Sequence, residues 1–280
     1  MRSFLLFLLG GCVTFGCLAV ILGLLQPSNL GREIEHSTLP ATVGTSSEAV
    51  VKSRTMPNPV PATAGSREYA LRDVGGETIR FDHGGTMRTF HVFPAGARGP
   101  APRAAVILFH GANRSGKSML DMWEQMARIG DILLIAPDAL DPKDWSPDTD
   151  GAEFVNAVIE RAAVTHKIDF GRLYLFGHSS GGRHAIRLAN RDDGPWRAVA
   201  VHGSVPPQGQ VVSARIPRRI TIFMGTEDHL YPMDVARSSA RALAEAGHPV
   251  ELVEIAGHTH WYYAIGPRLN RLAWEAMTAE

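Results

Sequence analysis

Tyr174-Leu175-Phe176-Gly177-His178-Ser179-Ser180-Gly181-Gly182 is an apolar run that stops at Gly-x-Ser-x-Gly and continues in a helical pattern. Few arrangements accept that order. A buried strand must turn sharply into a helix, and the serine sits on the turn with its hydroxyl exposed above the sheet. Glycines flank the turn because a Cβ there would collide with the chain. The frame selects Ser179 and not Ser180, since Ser180 would need glycine where His178 stands.

Composition is that of an ordinary globular chain with a formal net charge of zero. This argues against nucleic acid or an anionic membrane surface as the main partner. Both cysteines, Cys12 and Cys17, lie near the start, so the rest of the chain has no disulfide, thiol nucleophile or cysteine metal site. They fall within Phe4–Leu25, an uncharged apolar run that begins after Arg2. As a helix it would span roughly 33 Å, enough for a bilayer core. A cleaved signal peptide usually has a shorter apolar region and a small-residue cleavage site. Leu9-Gly10-Gly11-Cys12 resembles a lipoprotein processing site, but the apolar run continues beyond Cys12. An uncleaved transmembrane anchor over 1–25 is the preferred expectation, ahead of secretion or a lipoprotein. All three place the remaining chain outside the cytoplasm, periplasmic or extracellular.

Residues 26–65 are rich in Pro, Ser, Thr and Ala and lack a sustained period, which predicts a disordered linker. From 66 to 280 the pattern is that of one domain. Glu77–Phe81 and Met87–Phe93 read as an antiparallel pair. Apolar strands at Ala104–Phe109, Asp131–Ala136, Arg172–Phe176, Ala198–Val201, Arg219–Met224 and Val250–Ile255 then alternate with helical stretches. That order predicts an α/β fold with a mostly parallel sheet and helices on both faces. Ligands on such sheets sit at the carboxyl ends of the strands.

A serine hydroxyl needs a histidine base, a carboxylate to orient it and donors for the oxyanion. In chain order the acid and then the histidine should follow the elbow, each just past a strand. Asp228, in Gly225-Thr226-Glu227-Asp228, is the preferred acid over Glu227. In Gly257-His258-Thr259-His260-Trp261 two histidines compete. His258, nearest the strand end, is preferred as base, with His260 as the alternative. The oxyanion donors are expected to be the backbone N–H groups of Ser180 and of Ala112, in His110-Gly111-Ala112-Asn113. His110 precedes the nucleophile and is expected to be a structural hydrogen-bonding residue. Trp145, Tyr231 and Trp261 lie in loops from which they could line the substrate. The chemistry needs neither a metal nor another cofactor.

These motifs together resemble the α/β-hydrolases, and among them the single-domain bacterial esterases related to polyhydroxybutyrate depolymerases, feruloyl esterases and dienelactone hydrolases. The resemblance covers about residues 70–280. It implies an eight-stranded sheet and a triad of Ser179, Asp228 and His258. Secreted aromatic-ester and polyester hydrolases of this group often carry Gly-His-x-Trp-Pro and a disulfide. Here the run is Gly-His-Thr-His-Trp with no cysteine pair, which counts against feruloyl or polyester substrates. The short interval between Val201 and Arg219 leaves no room for a cap domain, so an open site for a small or bulky exposed ester is expected.

Three rivals remain at this stage. Gly111-Ala112-Asn113-Arg114-Ser115-Gly116-Lys117-Ser118 matches a phosphate-cradling P-loop, with Asp138 after the next strand as a magnesium-binding candidate. An NTPase would make the elbow, acid and histidine three coincidences in the right order. A catalytically silent binding protein could use the same fold. An acyltransferase or peptidase could use the same triad, because only the acceptor differs. The sequence is silent on oligomeric state.

Overall fold

The computed structural model describes residues 50–59, 68–96, 99, 101–207 and 209–279. These belong to one compact unit, residues 47–280. The expected anchor over 1–25 and the linker up to residue 49 lie outside the described residues. Among the described residues no helix is long and apolar enough to cross a membrane.

Among the described residues nine strands form one sheet. In chain order they are β1 (Val51–Pro57), β2 (Glu77–His83), β3 (Thr86–Phe93), β4 (Arg103–Phe109), β5 (Leu133–Pro137), β6 (Ile168–His178), β7 (Trp196–His202), β8 (Arg219–Gly225) and β9 (Val250–Ala256). Their spatial order is β1-β9-β8-β7-β6-β4-β5-β3-β2. Only the β2–β3 and β3–β5 pairings are antiparallel. The helices are α1 (Gly116–Gly130), the single turn α2 (Pro147–Asp150), α3 (Ala152–Ala163), α4 (Ser180–Arg191), α5 (Met233–Glu245) and α6 (Gly266–Thr278).

The central strands are apolar over most of their buried length because both faces are covered. Along β4, Ala105, Ile107 and Phe109 enter one core layer with α3, α4 and α5. Val106 and Leu108 enter the other, with α1 and α6. That alternation is the two-residue period of a strand.

One expectation is corrected. Val51–Pro57, read as part of the disordered linker, is strand β1, paired in parallel with β9 from Val51↔Val250 to Pro57↔Ala256. It raises the expected eight strands to nine. Val51 packs on one core layer and Met56 on the other, while Arg54 bonds Glu251 at 2.7 Å. Pro57 is tolerated because it closes an edge strand, where a missing N–H breaks little of the ladder.

Candidate active site

Every group of the candidate site stands at or just beyond the carboxyl end of a strand. β6 ends at His178, and Ser179 follows with φ 55 and ψ −122 before α4 begins. A non-glycine residue there is strained by about 1–3 kcal/mol. The turn is held by Ser179 N–H donating to the His202 carbonyl at 3.1 Å, and by the Ser204 hydroxyl donating to the Ser179 carbonyl at 2.8 Å. The flanking glycines are demanded by space. A Cβ on Gly177 would lie 2.3 Å from the Gly181 carbonyl oxygen, and one on Gly181 would lie 2.3 Å from that of Phe109.

Beyond β8, Asp228 is buried with its side chain fully covered. Its Oδ1 accepts the N–H groups of Leu230 at 2.8 Å and Tyr231 at 3.1 Å. Its Oδ2 lies 2.8 Å from Nδ1 of His260, and Nε2 of His260 lies 2.9 Å from the Ser179 hydroxyl. Burial alone would raise the Asp228 carboxyl. The His260 bond and charge and the two backbone donors outweigh it, so its pKa falls below the ordinary value. The bond pattern gives His260 a proton on Nδ1 toward the carboxylate and a lone pair on Nε2 toward the serine.

His258 is not in this line, which corrects the preference for it as the base. Its Nε2 lies 3.0 Å from Nε2 of His202, at the end of β7. The reversal at Gly257, with φ 65, turns the first histidine toward β7 and leaves the second facing Ser179. Burial pushes the His258 pKa down to about 4.

The loop after β4 runs beside Ser179. A Cβ on Gly111 would lie 3.4 Å from that of Ser179. Ala112 is exposed in this loop, and Ser180 opens α4. His110 is buried, its Nδ1 near the Gly111 carbonyl at 2.9 Å and its Nε2 accepting the Ala139 N–H at 3.1 Å. Those two bonds fix the loop's exit, the structural part expected of it.

Of the loop aromatics, Trp145 is corrected. It is buried, stacks on His184 with centroids 5.0 Å apart, and donates its indole N–H to the His110 carbonyl at 2.9 Å. Its surfaces are already used, so it supports the wall of the site and leaves no face for substrate. Tyr231 lies 6.0 Å from the His260 ring and is partly exposed. Trp261, also partly exposed, sits 5.4 Å from Tyr263. The Arg114 guanidinium lies over the rings of Tyr69, Trp261 and Tyr263 at 5.3, 5.7 and 5.0 Å. It ties the loop after β4 to the loop carrying His260. Sequence reasoning missed this cluster, because its members are far apart in the chain.

The P-loop match fails on geometry. The Asp138 carboxylate accepts the Gly116 N–H at 2.6 Å, occupying a donor a phosphate would need. The Asn113 N–H is spent on the Pro142 carbonyl at 2.7 Å.

A profile of the dienelactone hydrolase family matches residues 121–278, more than half of the chain, from within α1 through the elbow to the end of α6. The chain belongs to the dienelactone hydrolase family. Among curated proteins, this family member is similar to NocK of Nocardia uniformis subsp. tsuyamanensis, an inferred esterase, at 27% identity over 212 residues. The match takes in 70% of the present chain and spans only 58% of NocK. In fold it is similar to a ferulic acid esterase of the anaerobic fungus Anaeromyces mucronatus, with 18% identity, a TM-score of 0.59, and coverage of 72% of this chain and 88% of that one. It is also similar to Thermogutta terrifontis esterase 2 in its paraoxon-phosphorylated form, with 16% identity, a TM-score of 0.58, and coverage of 75% and 98%. At these identities the two structures speak for the α/β-hydrolase fold alone.

Proposed function

We propose that this dienelactone hydrolase family member is a serine hydrolase that cleaves carboxylic esters through an acyl-enzyme, with Ser179 as nucleophile, His260 as base and Asp228 as its orienting acid. The observation that carries the reading is the continuous line from the Asp228 carboxylate through both nitrogens of His260 to the Ser179 hydroxyl. Ser179 Oγ attacks the ester carbonyl while His260 Nε2 takes its proton. Asp228 stays ionised and stabilises the imidazolium. The oxyanion is received by the N–H groups of Ala112 and Ser180. The imidazolium then protonates the leaving alcohol, and water attacks the acyl-enzyme by the same route in reverse.

Water is favoured over another acceptor by the open site. The 203–218 connection holds no helix or strand among its described residues, so nothing there forms a cap. Tyr231 and Trp261 are the aromatic faces left to a substrate at the rim. The catalytic domain is proposed to work outside the cytoplasm, tethered by the apolar run Phe4–Leu25.

Turnover of p-nitrophenyl acetate and butyrate by the purified full-length protein tests the reading. Ser179→Ala should lower it by roughly 10³-fold or more. Near-normal turnover in that variant would overturn the assignment.

A further inference from the structure

Three imidazoles that the proposed reaction does not use lie in series beneath it. His178, in the elbow, His202, at the end of β7, and His258, in the loop after β9, are all buried. Nδ1 of His178 lies 3.1 Å from Nδ1 of His202, and Nε2 of His202 lies 3.0 Å from Nε2 of His258. Nδ1 of His178 is also 3.3 Å from the His202 carbonyl oxygen. A carbonyl can only accept, so His178 carries its proton on Nδ1. His202 Nδ1 must then accept, which puts the His202 proton on Nε2. His258 Nε2 accepts in turn, which puts the His258 proton on Nδ1. One contact therefore fixes the tautomer of all three rings.

We propose that His202 is a positioning residue for the chemistry at Ser179, clamping the loop that carries His260 to the elbow through His258 on one side and His178 on the other. The proposal rests on the reading of Ser179, His260 and Asp228 as the reacting groups. His260 sits two residues beyond His258, and its own side chain bonds only Ser179 and Asp228. Those partners change their bonding during the reaction. The His258 ring bond does not, and it joins this loop to β7, the strand whose His202 carbonyl also takes the Ser179 N–H. One residue thus references both the nucleophile and the base. Tyr262 closes the row from the side, stacked on His178 at 5.1 Å and tilted on His202 at 5.5 Å.

The row works only while His202 and His258 are neutral, since a second proton on His202 Nδ1 or on His258 Nε2 would set donor against donor. Burial supplies that condition. It pushes His178 down to about 3, His258 to about 4 and His202 well below the ordinary histidine value. His178 also faces His260, with centroids 5.0 Å apart, so a charge on it would oppose the imidazolium formed in the reaction.

The test combines a spectrum with kinetics on the full-length protein. Imidazole ¹⁵N shifts at pH 7 should show His178 and His258 protonated on Nδ1 and His202 on Nε2, all neutral. His202→Phe and His258→Leu should each lower kcat by about 10–100-fold, the order of loss that a misplacement of about 1 Å at the reacting centre brings, with KM within about 3-fold. His258→Gln, which keeps an acceptor toward His202, should recover most of the loss. A different tautomer pattern or a charged ring would overturn the proposal. So would folded His202→Phe or His258→Leu with unchanged kcat, or equal losses in the Leu and Gln variants. Should His202→Phe not fold, the spectrum and the contrast at residue 258 decide. The predicted spectrum in a protein without ester turnover would overturn the reaction reading and the positioning role with it, leaving the ring-to-ring bonds standing.

Discussion

Ser179 holds a conformation with φ 55 that side chains rarely adopt, and its neighbours are arranged to keep it there. The elbow serine and the carboxylate bonded to His260 were both legible in the sequence, because each follows a strand in a short pattern with glycine. The histidine that joins them was not. Spacing shows that His258 is nearer the strand end, but only the reversal at Gly257 decides which ring faces Ser179. The two histidines should therefore separate under substitution. His260→Ala removes the group bonded to the serine and should cost roughly 10³-fold or more in kcat. His258→Ala should cost about 10–100-fold through lost positioning. Steady-state kinetics on the two variants checks this, and a larger loss at 258 than at 260 would reverse the assignment. Asp228 carries a pH signature of its own. Its folded pKa is depressed, so its contribution to stability is full above the ordinary value of 3.8 and is lost as pH falls through the folded one. The stability difference between wild type and Asp228→Asn, read by urea denaturation, should shrink as pH drops below about 4.

The elements that build the site were the readable ones. Strands β4, β7 and β8 and the Leu173–Phe176 half of β6 read as short, mostly apolar runs, because a two-face-buried parallel strand has few polar positions. Strand β1 was missed for the opposite reason. Lys52, Ser53, Arg54 and Thr55 are exposed on an edge, and prolines follow, so neither periodicity nor composition marks it. Its pairing along the whole of β9 still makes it part of the sheet. Removing residues through 58 should strip that pairing, uncover one edge of β9 and lower Tm by several degrees, since about 1 kcal/mol moves Tm by roughly 2–4 °C in a domain of this size. Removing residues only through 46 should leave the described unit's Tm nearly unchanged. Thermal melts of the two truncations decide the matter, and equal melting temperatures would show that β1 contributes nothing to the fold.

At the scale of the whole molecule, buried histidines set the response to acid. Burial lowers His178 and His184 to about 3 and His258 to about 4, against an ordinary value of 6.5. Each is neutral when folded and would gain a proton on unfolding below 6.5. Their contribution is therefore full above that pH and is lost as pH falls toward the folded values, at up to about 1.4 kcal/mol per pH unit for each ring. Set against a total stability of about 5–15 kcal/mol, a few such rings are decisive. Urea unfolding at pH 7.5, 6 and 5 should show a steep fall in stability across that range, whereas a flat profile would mean that these rings are charged or solvated in the folded state. The sequence could count the histidines, but their burial depends on strand ends meeting from across the chain.

The proposed reaction requires Ser179 to be an activated nucleophile. Treatment of the full-length protein with a fluorophosphonate probe, followed by mapping of the adduct by mass spectrometry, tests that most directly. A single adduct on Ser179, lost in His260→Ala and retained in His258→Gln, is the predicted result. A folded protein that takes no adduct, or takes it at a residue other than Ser179, would contradict the account.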